Sequence, residues 1–554
     1  MEISLLQCCL IGIWTGVCLT GMLTGTYLTR CLVMAAGVGM ILGDLKAGLL
    51  MGAAGEMAFL GFGVSSGGSV PPNPAGPGVV GTIIAITMKG KGMSLEAALA
   101  LSFPFAVIIQ LFITGIYTVS TGFAARAEQE VEKGNYRRFR LLANGTLLMF
   151  VATGFILGFG AAFQVKGLER LVGAIPQWLT EGLGTAGKIL PAVGFAVILS
   201  AMARWDTIPF LALGYVMAAY LKLPVLAVAL ASAALSWIAY GKRPIAEGPE
   251  KGGEEDGNWG EGQRGKQDEK SRVDESFGAE SFGRERLGGP RIPEPELRRL
   301  SKKTALRAYF LQNGYNYGNY EGLSYANIMF PAFCRICANE AQLRRELKDS
   351  MGYCSVNPNF LPILTSIHLA ALNRGIPGMG TRDIRLALMG PLAGVGDSLV
   401  QFCLAPVFST IGAAMAQEGL IWGPVVFLLG MNGLLLAMKL SSEKVGYRLG
   451  ASLAERLKGS MDPLSGAARM VGAAVIAGLA ANCVDLRLDL ALAGVQGEVL
   501  EVQGFLDMLL PGALPVAYMG ILFYLIRKRK WGTYSLVAMT LVLGVLLKTA
   551  GILL

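Results

Sequence analysis

Gly390-Pro391-Leu392-Ala393-Gly394-Val395-Gly396-Asp397-Ser398 places an aspartate among small residues inside a long apolar stretch, about 385 to 440. A carboxylate at mid-helix in a bilayer costs roughly 2.5–3.5 kcal/mol on an insertion scale, so Asp397 predicts a polar cavity or a partner rather than lipid. The three glycines and Pro391 of this run predict a broken or loosened helix. Irregular backbone at membrane depth persists only where protein or a watery cavity satisfies its hydrogen bonds. The stretch reads as the lining of a transport path.

The rest of the chain has the composition of an integral membrane protein, with 53% hydrophobic and 16% charged residues and a mean hydropathy of +0.51. The net charge of +9 does not point to nucleic acid, because the Lys and Arg residues sit at the ends of apolar segments rather than in one patch with interleaved aromatics. Met1-Glu2-Ile3 lacks the positive n-region of a secretory signal, so the run near Leu5 to Tyr27 is expected to stay as a membrane segment. The nine cysteines are scattered through apolar runs and form no disulfide framework. Cys334-x-x-Cys337 has no second pair to complete a zinc site, and no metal is expected.

Apolar segments fall into two blocks, separated by a Gly-, Glu-, Lys-, Arg- and Pro-rich stretch with almost no aliphatic run. The expected fold class is an all-α polytopic membrane protein of two helical transmembrane modules. Residues 1–240 form the first module, 241–300 a disordered charged linker, and 301–554 the second. Within the second, 301–380 mixes Tyr, Asn, Arg and Glu with apolar residues and predicts an amphipathic helical cap and docking surface. Residues 381–554 are read as transmembrane. Basic clusters at Arg126–Arg140 and Arg527–Lys530 predict cytoplasmic loops, Lys242, Arg243, Lys302 and Lys303 predict a cytoplasmic linker, and the last apolar run then leaves the C-terminus outside.

Five polar residues are candidates for a substrate path. Glu56 lies among small residues with no basic neighbour in sequence, and so predicts a polar cavity or a distant partner. Asn73 belongs to Ser65–Pro74, which is either a re-entrant hairpin offering hydroxyls and an amide to a neutral polyol or an ordinary extramembrane turn. Asn316, in Asn313-Gly314-Tyr315-Asn316-Tyr317, suits hydrogen bonding and stacking on a sugar, or an interfacial belt. Asp397 is the carboxylate of the opening stretch. Asn432 either lines the path or ties helices together. Asp44 and Lys46 read as a loop or helix end, and the single histidine, His368, as a packed side chain. No ATP-binding loop, nucleophile elbow or paired His is present in the sequence. No catalytic residue and no cofactor are expected.

Further residues carry a family resemblance. They are Gly43-Asp44-Leu45-Lys46-Ala47-Gly48, Gly55-Glu56-Met57 and Leu190 to Ala196 in the first module, and Gly322-Leu323-Ser324-Tyr325, Gly390 to Ser398, Gly446 to Gly450 and Leu510-Pro511-Gly512 in the second. The chain resembles the IIC and IID membrane subunits of a mannose/fructose/sorbose-family sugar phosphotransferase system, joined end to end. The resemblance implies a permease of the bacterial cytoplasmic membrane that binds and translocates a hexose-type sugar, an amino sugar included. Separate IIA and IIB proteins would pass phosphate to that sugar through histidines, phosphorylated IIB being the donor. It further implies a homotrimer of fused IIC–IID chains. Asn73 departs from the aspartate common in that family. Two other readings stay open on the residues alone, a non-transporting receptor or scaffold and an ion-coupled sugar transporter.

Overall fold

Helices dominate the computed structural model, which describes residues 3–60, 72–89, 93–167, 176–241, 292–374, 378–449, 454–489, 491–493 and 499–553. Six helices among the described residues are long and apolar enough to cross a membrane, and a seventh crossing results if Gln503–Leu509 and Ala513–Arg529, bent by 84°, form one span. Most of the linker and residues 61–71 of the Pro-rich loop lie outside the described residues.

In the first half, α1 (Leu5–Thr24) is followed by α2 (Cys31–Leu42), α3 (Leu45–Phe59), a π-helical turn at Gly76–Gly81, α4 (Thr82–Thr87), α5 (Leu95–Glu132), α6 (Tyr136–Ala143) and α7 (Gly145–Phe163). Four more helices follow, α8 (Gln177–Ile189), α9 (Pro191–Met202), α10 (Ile208–Ala219) and α11 (Val225–Gly241). Small residues set the α1–α7 crossing. Gly16 faces Gly154, where an added Cβ would stand 2.7 Å from the Gly16 Cα, while Gly12 lies against Phe155 and Gly158 against Thr15. This is the small-xxx-small packing that lets membrane helices approach backbone to backbone.

The apolar run from residue 31 is not one helix. It folds back at Gly43 (φ 82°) into α2 and α3, of 12 and 15 residues, each shorter than the roughly 20 needed to cross a bilayer. Asp44 ends the turn as predicted for a helix end, its Oδ1 accepting from the Ala47 N–H at 3.0 Å while Oδ2 pairs with Lys89 at 2.7 Å.

The second half starts earlier than its composition suggests. α12 (Glu294–Arg307) begins inside the stretch read as linker, with Ile292 and Leu297 buried. Its many charges hide an amphipathic helix whose apolar side is narrow. With α13 (Gly322–Ile336), α14 (Glu340–Ser350) and α15 (Leu361–Asn373), it builds a helical layer around Leu297, Tyr325, Phe333, Leu347 and Leu364. Val131 and Phe139 of the first half join the same core. α5 makes this possible, since its 38 residues extend about 57 Å at 1.5 Å per residue, beyond any bilayer core. Its last turn holds α14 through Lys348–Glu132 at 2.5 Å and Arg344 donating to the Glu132 carbonyl at 3.0 Å.

α16 (Gly378–Leu399) corrects the reading of the opening stretch, because it runs through Gly390–Ser398 without a break. Interior glycines cost only about 1 kcal/mol each, which packing overrides. The irregularity comes just after, as a π-helical turn at Val400–Leu404 leading into α17 (Ala405–Gln417). Pro406 accounts for it, since its ring excludes the regular bond to the carbonyl four residues back. α18 (Trp422–Leu449), α19 (Ala454–Cys483), two antiparallel strands, Ala491–Ala493 and Val499–Glu501, α20 (Val502–Leu509), α21 (Ala513–Arg529) and α22 (Thr533–Thr549) complete the described elements. The halves share one core, with Leu32, Leu49, Phe103 and Phe195 packed with Phe427, Ile476 and Leu522.

Candidate functional site

The two halves meet on a buried ion pair. Arg30, at the start of α2, reaches Glu56 of α3 with its Nε donating to Oε1 at 2.6 Å and a second guanidinium nitrogen at 2.5 Å. Ser409 of α17 donates to the same Oε1 at 2.6 Å and accepts from Arg30 at 3.0 Å, while the Leu32 N–H donates to Oε2 at 3.3 Å. Glu56 is 1% exposed. Of the alternatives open from sequence, the distant partner is what it has, and its carboxylate braces the seam between the halves.

Beside that seam lies a cavity of about 340 Å³, walled by Ala54, Met57, Leu99 and Pro191 of the first half and Ala413 and Ala414 of the second. Glu96, Lys188, Thr410, Gln417, Asn482 and Asp485 supply its polar groups. The volume falls in the usual range for small-ligand sites, and apolar walls carrying a few convergent donors and acceptors are the usual lining. Lys188 and Asp485 face one another at 3.9 Å across the two halves.

Tyr27, with a left-handed backbone (φ 61°), lies within electrostatic reach of both Arg30 and Asp397, with Gln401 beside it. Asp397 is exposed. Its Oδ1 accepts from Asn357 Nδ2 at 2.9 Å, and Oδ2 has no protein partner among the described residues. A Cβ on Gly396 would stand 2.2 Å from the Asn357 Cβ, so that glycine is what lets α16 approach Asn357. Close by, outside the membrane spans, buried Glu321 accepts from the Val356 N–H at 2.9 Å. Burial pushes its carboxyl up to about 8, and the charge of Asp397 adds to the rise.

The remaining candidates are placed differently. Asn432 of α18 donates to the Thr26 carbonyl and to its own helix at Leu428, both at 2.9 Å, which ties α18 to the turn after α1. Asn73 is buried, accepts from the Ala75 N–H at 2.9 Å and donates to Gln110 at 3.4 Å. Asn316 is the clear departure from expectation. Its Nδ2 donates to the Gly314 carbonyl and to Asn319 Oδ1, and its Oδ1 accepts from the Gly318 and Asn319 N–H groups. Both of its donors and both of its lone pairs are used, so it builds the turn and offers nothing to a ligand. The neighbouring rings of Tyr117, Tyr315, Tyr317, Tyr320 and Tyr353 pack edge to face.

Sequence reasoning missed Arg30, Asn357, Gln401 and Ser409 and the cavity's polar groups. Arg30 is 26 residues from its partner and Ser409 is 353, and no local spacing reveals such pairs. Glu96 sits in the first turn of α5 behind Ser94, whose hydroxyl caps that helix at the Ala97 N–H, and so looks like an ordinary helix-start acid.

Residues 5–238 match the family model described as the sorbose-specific IIC component of a phosphotransferase (PTS) system. Residues 298–553 match that of the PTS mannose/fructose/sorbose family IID component. N-acetylgalactosamine permease IIC component 1 of Escherichia coli (strain K12) is 33% identical over 35% of this chain and 72% of its own. Fructose permease IID component of Bacillus subtilis (strain 168) is 27% identical over 42% of this chain and 90% of its own. The sorbose-specific EIIC component of Lacticaseibacillus casei is 30% identical over 41% of this chain and 82% of its own. Among solved structures, a chain from the complex of the mannose transporter ManYZ with microcin E492 is 24% identical and covers 48% of this chain and 99% of that one, with a TM-score of 0.28.

Proposed function

This chain belongs to the mannose/fructose/sorbose family of PTS sugar permeases, with IIC and IID components in one polypeptide, and from that premise we propose that it carries a hexose-type sugar along the seam between its halves. It is a multi-pass membrane protein, and components of its kind work with sugar and with IIA and IIB proteins. The observation that carries the proposal is the mixed polar and apolar cavity at the seam, beside Arg30, Glu56 and Ser409. Sugar hydroxyls need many donors and acceptors, and the carboxylates, ammonium, amides and hydroxyl of that lining supply them.

In this reading the cavity admits the sugar, the Arg30–Glu56–Ser409 cluster separates the cavity from the inner part of the path, and Asp397 accepts a sugar hydroxyl on its free oxygen. Asn432 and Asn73 brace the helices around the path. Phosphorylated IIB, acting from the cytoplasm, transfers its phosphoryl group to the sugar at the inner mouth. The chain contributes binding and orientation, and no covalent intermediate. The membrane is the bacterial cytoplasmic membrane, the linker lies on its cytoplasmic side, and the fused chains assemble as a homotrimer.

Equilibrium binding of labelled mannose, fructose, sorbose and N-acetylgalactosamine to the purified full chain in nanodiscs tests the proposal. One sugar of the set is expected to bind saturably, and Asp397→Asn to weaken it at least tenfold. No saturable binding of any of the four, or equal binding by Asp397→Asn, contradicts it.

A further inference from the structure

Three hydrogen bonds lead from a buried cation to Asp397. Lys439 of α18 is 1% exposed, its ammonium lying 4.0 Å from the Tyr309 ring centroid and donating to Asn359 Oδ1 at 2.5 Å. Asn359 Nδ2 donates to Asn357 Oδ1 at 3.0 Å, and Asn357 Nδ2 donates to Asp397 Oδ1 at 2.9 Å. Lys439 has no carboxylate partner within ion-pair distance among the described residues, and an unpaired ammonium in a membrane span is costly. The chain of amides supplies its compensation at a distance.

The orientation of both amides is forced by what surrounds them. An ammonium only donates, so Asn359 must turn its oxygen to Lys439 and its NH2 group toward Asn357. The Asn359 backbone N–H also donates to Asn357 Oδ1, at 3.0 Å. Asn357 must therefore keep its oxygen on that side and turn its NH2 group to Asp397. Every link points the same way, and the last group is left as an acceptor.

We propose that Lys439, Asn359 and Asn357 form a one-way relay that favours the ionised form of Asp397 and fixes Oδ1, leaving Oδ2 aimed at a sugar hydroxyl; Lys439 is thus a positioning residue for substrate binding. The proposal rests on the reading of Asp397 as a sugar-binding group. Among the described residues, the other ionisable groups in electrostatic reach of Asp397 are Tyr27 and Glu321. Arg30 stands behind Tyr27, its charge felt at that ring.

Infrared difference spectroscopy of the full chain in nanodiscs, recorded against pH, reads Asp397 directly as the carboxylic C=O band that Asp397→Asn removes. Lys439→Met is expected to raise the midpoint of that band by at least one pH unit, a tenfold change in proton affinity. Lys439→Gln keeps a donor without the charge and gives the same test if the Met variant does not fold. Asn359→Ala keeps the charge but cuts the relay, and is expected to shift the midpoint the same way. Lys439→Arg is expected to restore it to within about half a unit. A midpoint unmoved in folded Lys439→Gln and Asn359→Ala overturns the relay. A shifted midpoint together with undiminished sugar binding by Asp397→Asn upholds the relay and overturns the role of Asp397 in sugar binding.

Discussion

Arg30 and Glu56 show how one side chain commits two parts of a molecule to each other. A buried pair broken by removing one member leaves an uncompensated charge, at a cost of about 3–5 kcal/mol. Arg30→Met is therefore expected to lower the thermal midpoint of the solubilised protein sharply, and Arg30→Met with Glu56→Met to recover much of the loss. Equal midpoints for the wild type and Arg30→Met would show that the pair does not hold the seam. Glu321 carries the opposite kind of effect. Its folded-state value, about 8, lies above that of a free carboxyl, about 4.3, so the folded chain holds a proton that the unfolded chain has lost. Stability from this group is full below about pH 4.3 and declines as pH rises toward 8. Glu321→Gln is expected to flatten that decline and to be the more stable form at pH 8, by on the order of 1–3 kcal/mol. A thermal midpoint at pH 8 no higher than that of the wild type would contradict it. At this scale the sequence showed which residues are chemically costly, Glu56 and Asp397 above all, because charge in an apolar run is visible locally. Their partners were not visible, since Arg30, Ser409 and Asn357 reach them only through the fold. Asn316 read as a ligand group because an amide that closes a turn looks the same in sequence as one that binds.

Among elements, α16 joins the motif to the site. Gly390 and Gly394 have nothing within 4 Å of an added Cβ, whereas Gly396 has the Asn357 side chain at 2.2 Å. Gly396→Ala is expected to separate α16 from Asn357, costing about 1–3 kcal/mol as overpacking does and weakening sugar binding at least tenfold. Gly394→Ala is expected to change the thermal midpoint and the binding little. Equal effects from the two would mean that the motif serves backbone flexibility alone. The sequence predicted a broken or loosened helix at these glycines, and the irregular turn falls instead at Val400–Leu404. Composition marks where small residues cluster, while Pro406 and packing decide where the ladder gives way. The α2–α3 hairpin was hidden for a related reason, since two short apolar helices and one long one have the same hydropathy, and Gly43-Asp44 was the only local sign of the turn.

For the molecule as a whole, the division into two membrane modules was plain from the apolar blocks and the charged stretch between them. How tightly they would interlock was not, because the shared core is made of contacts hundreds of residues apart. That core, with Leu32, Phe195, Phe427 and Ile476 in one cluster, implies that the covalent connection raises effective concentration rather than holding the halves together. Cleavage at a protease site placed near residue 265 is expected to leave the halves co-purifying and transport at least half intact. Separation of the halves after cleavage would contradict this. The central claim is that transport by this chain is tied to phosphoryl transfer from a separate protein. It is tested most directly by uptake of the bound sugar into vesicles holding the full chain, with and without phosphorylated IIB, and by identifying the product inside. Sugar phosphate that accumulates only when phosphorylated IIB is present is the expected result; free sugar accumulating without it would contradict the account.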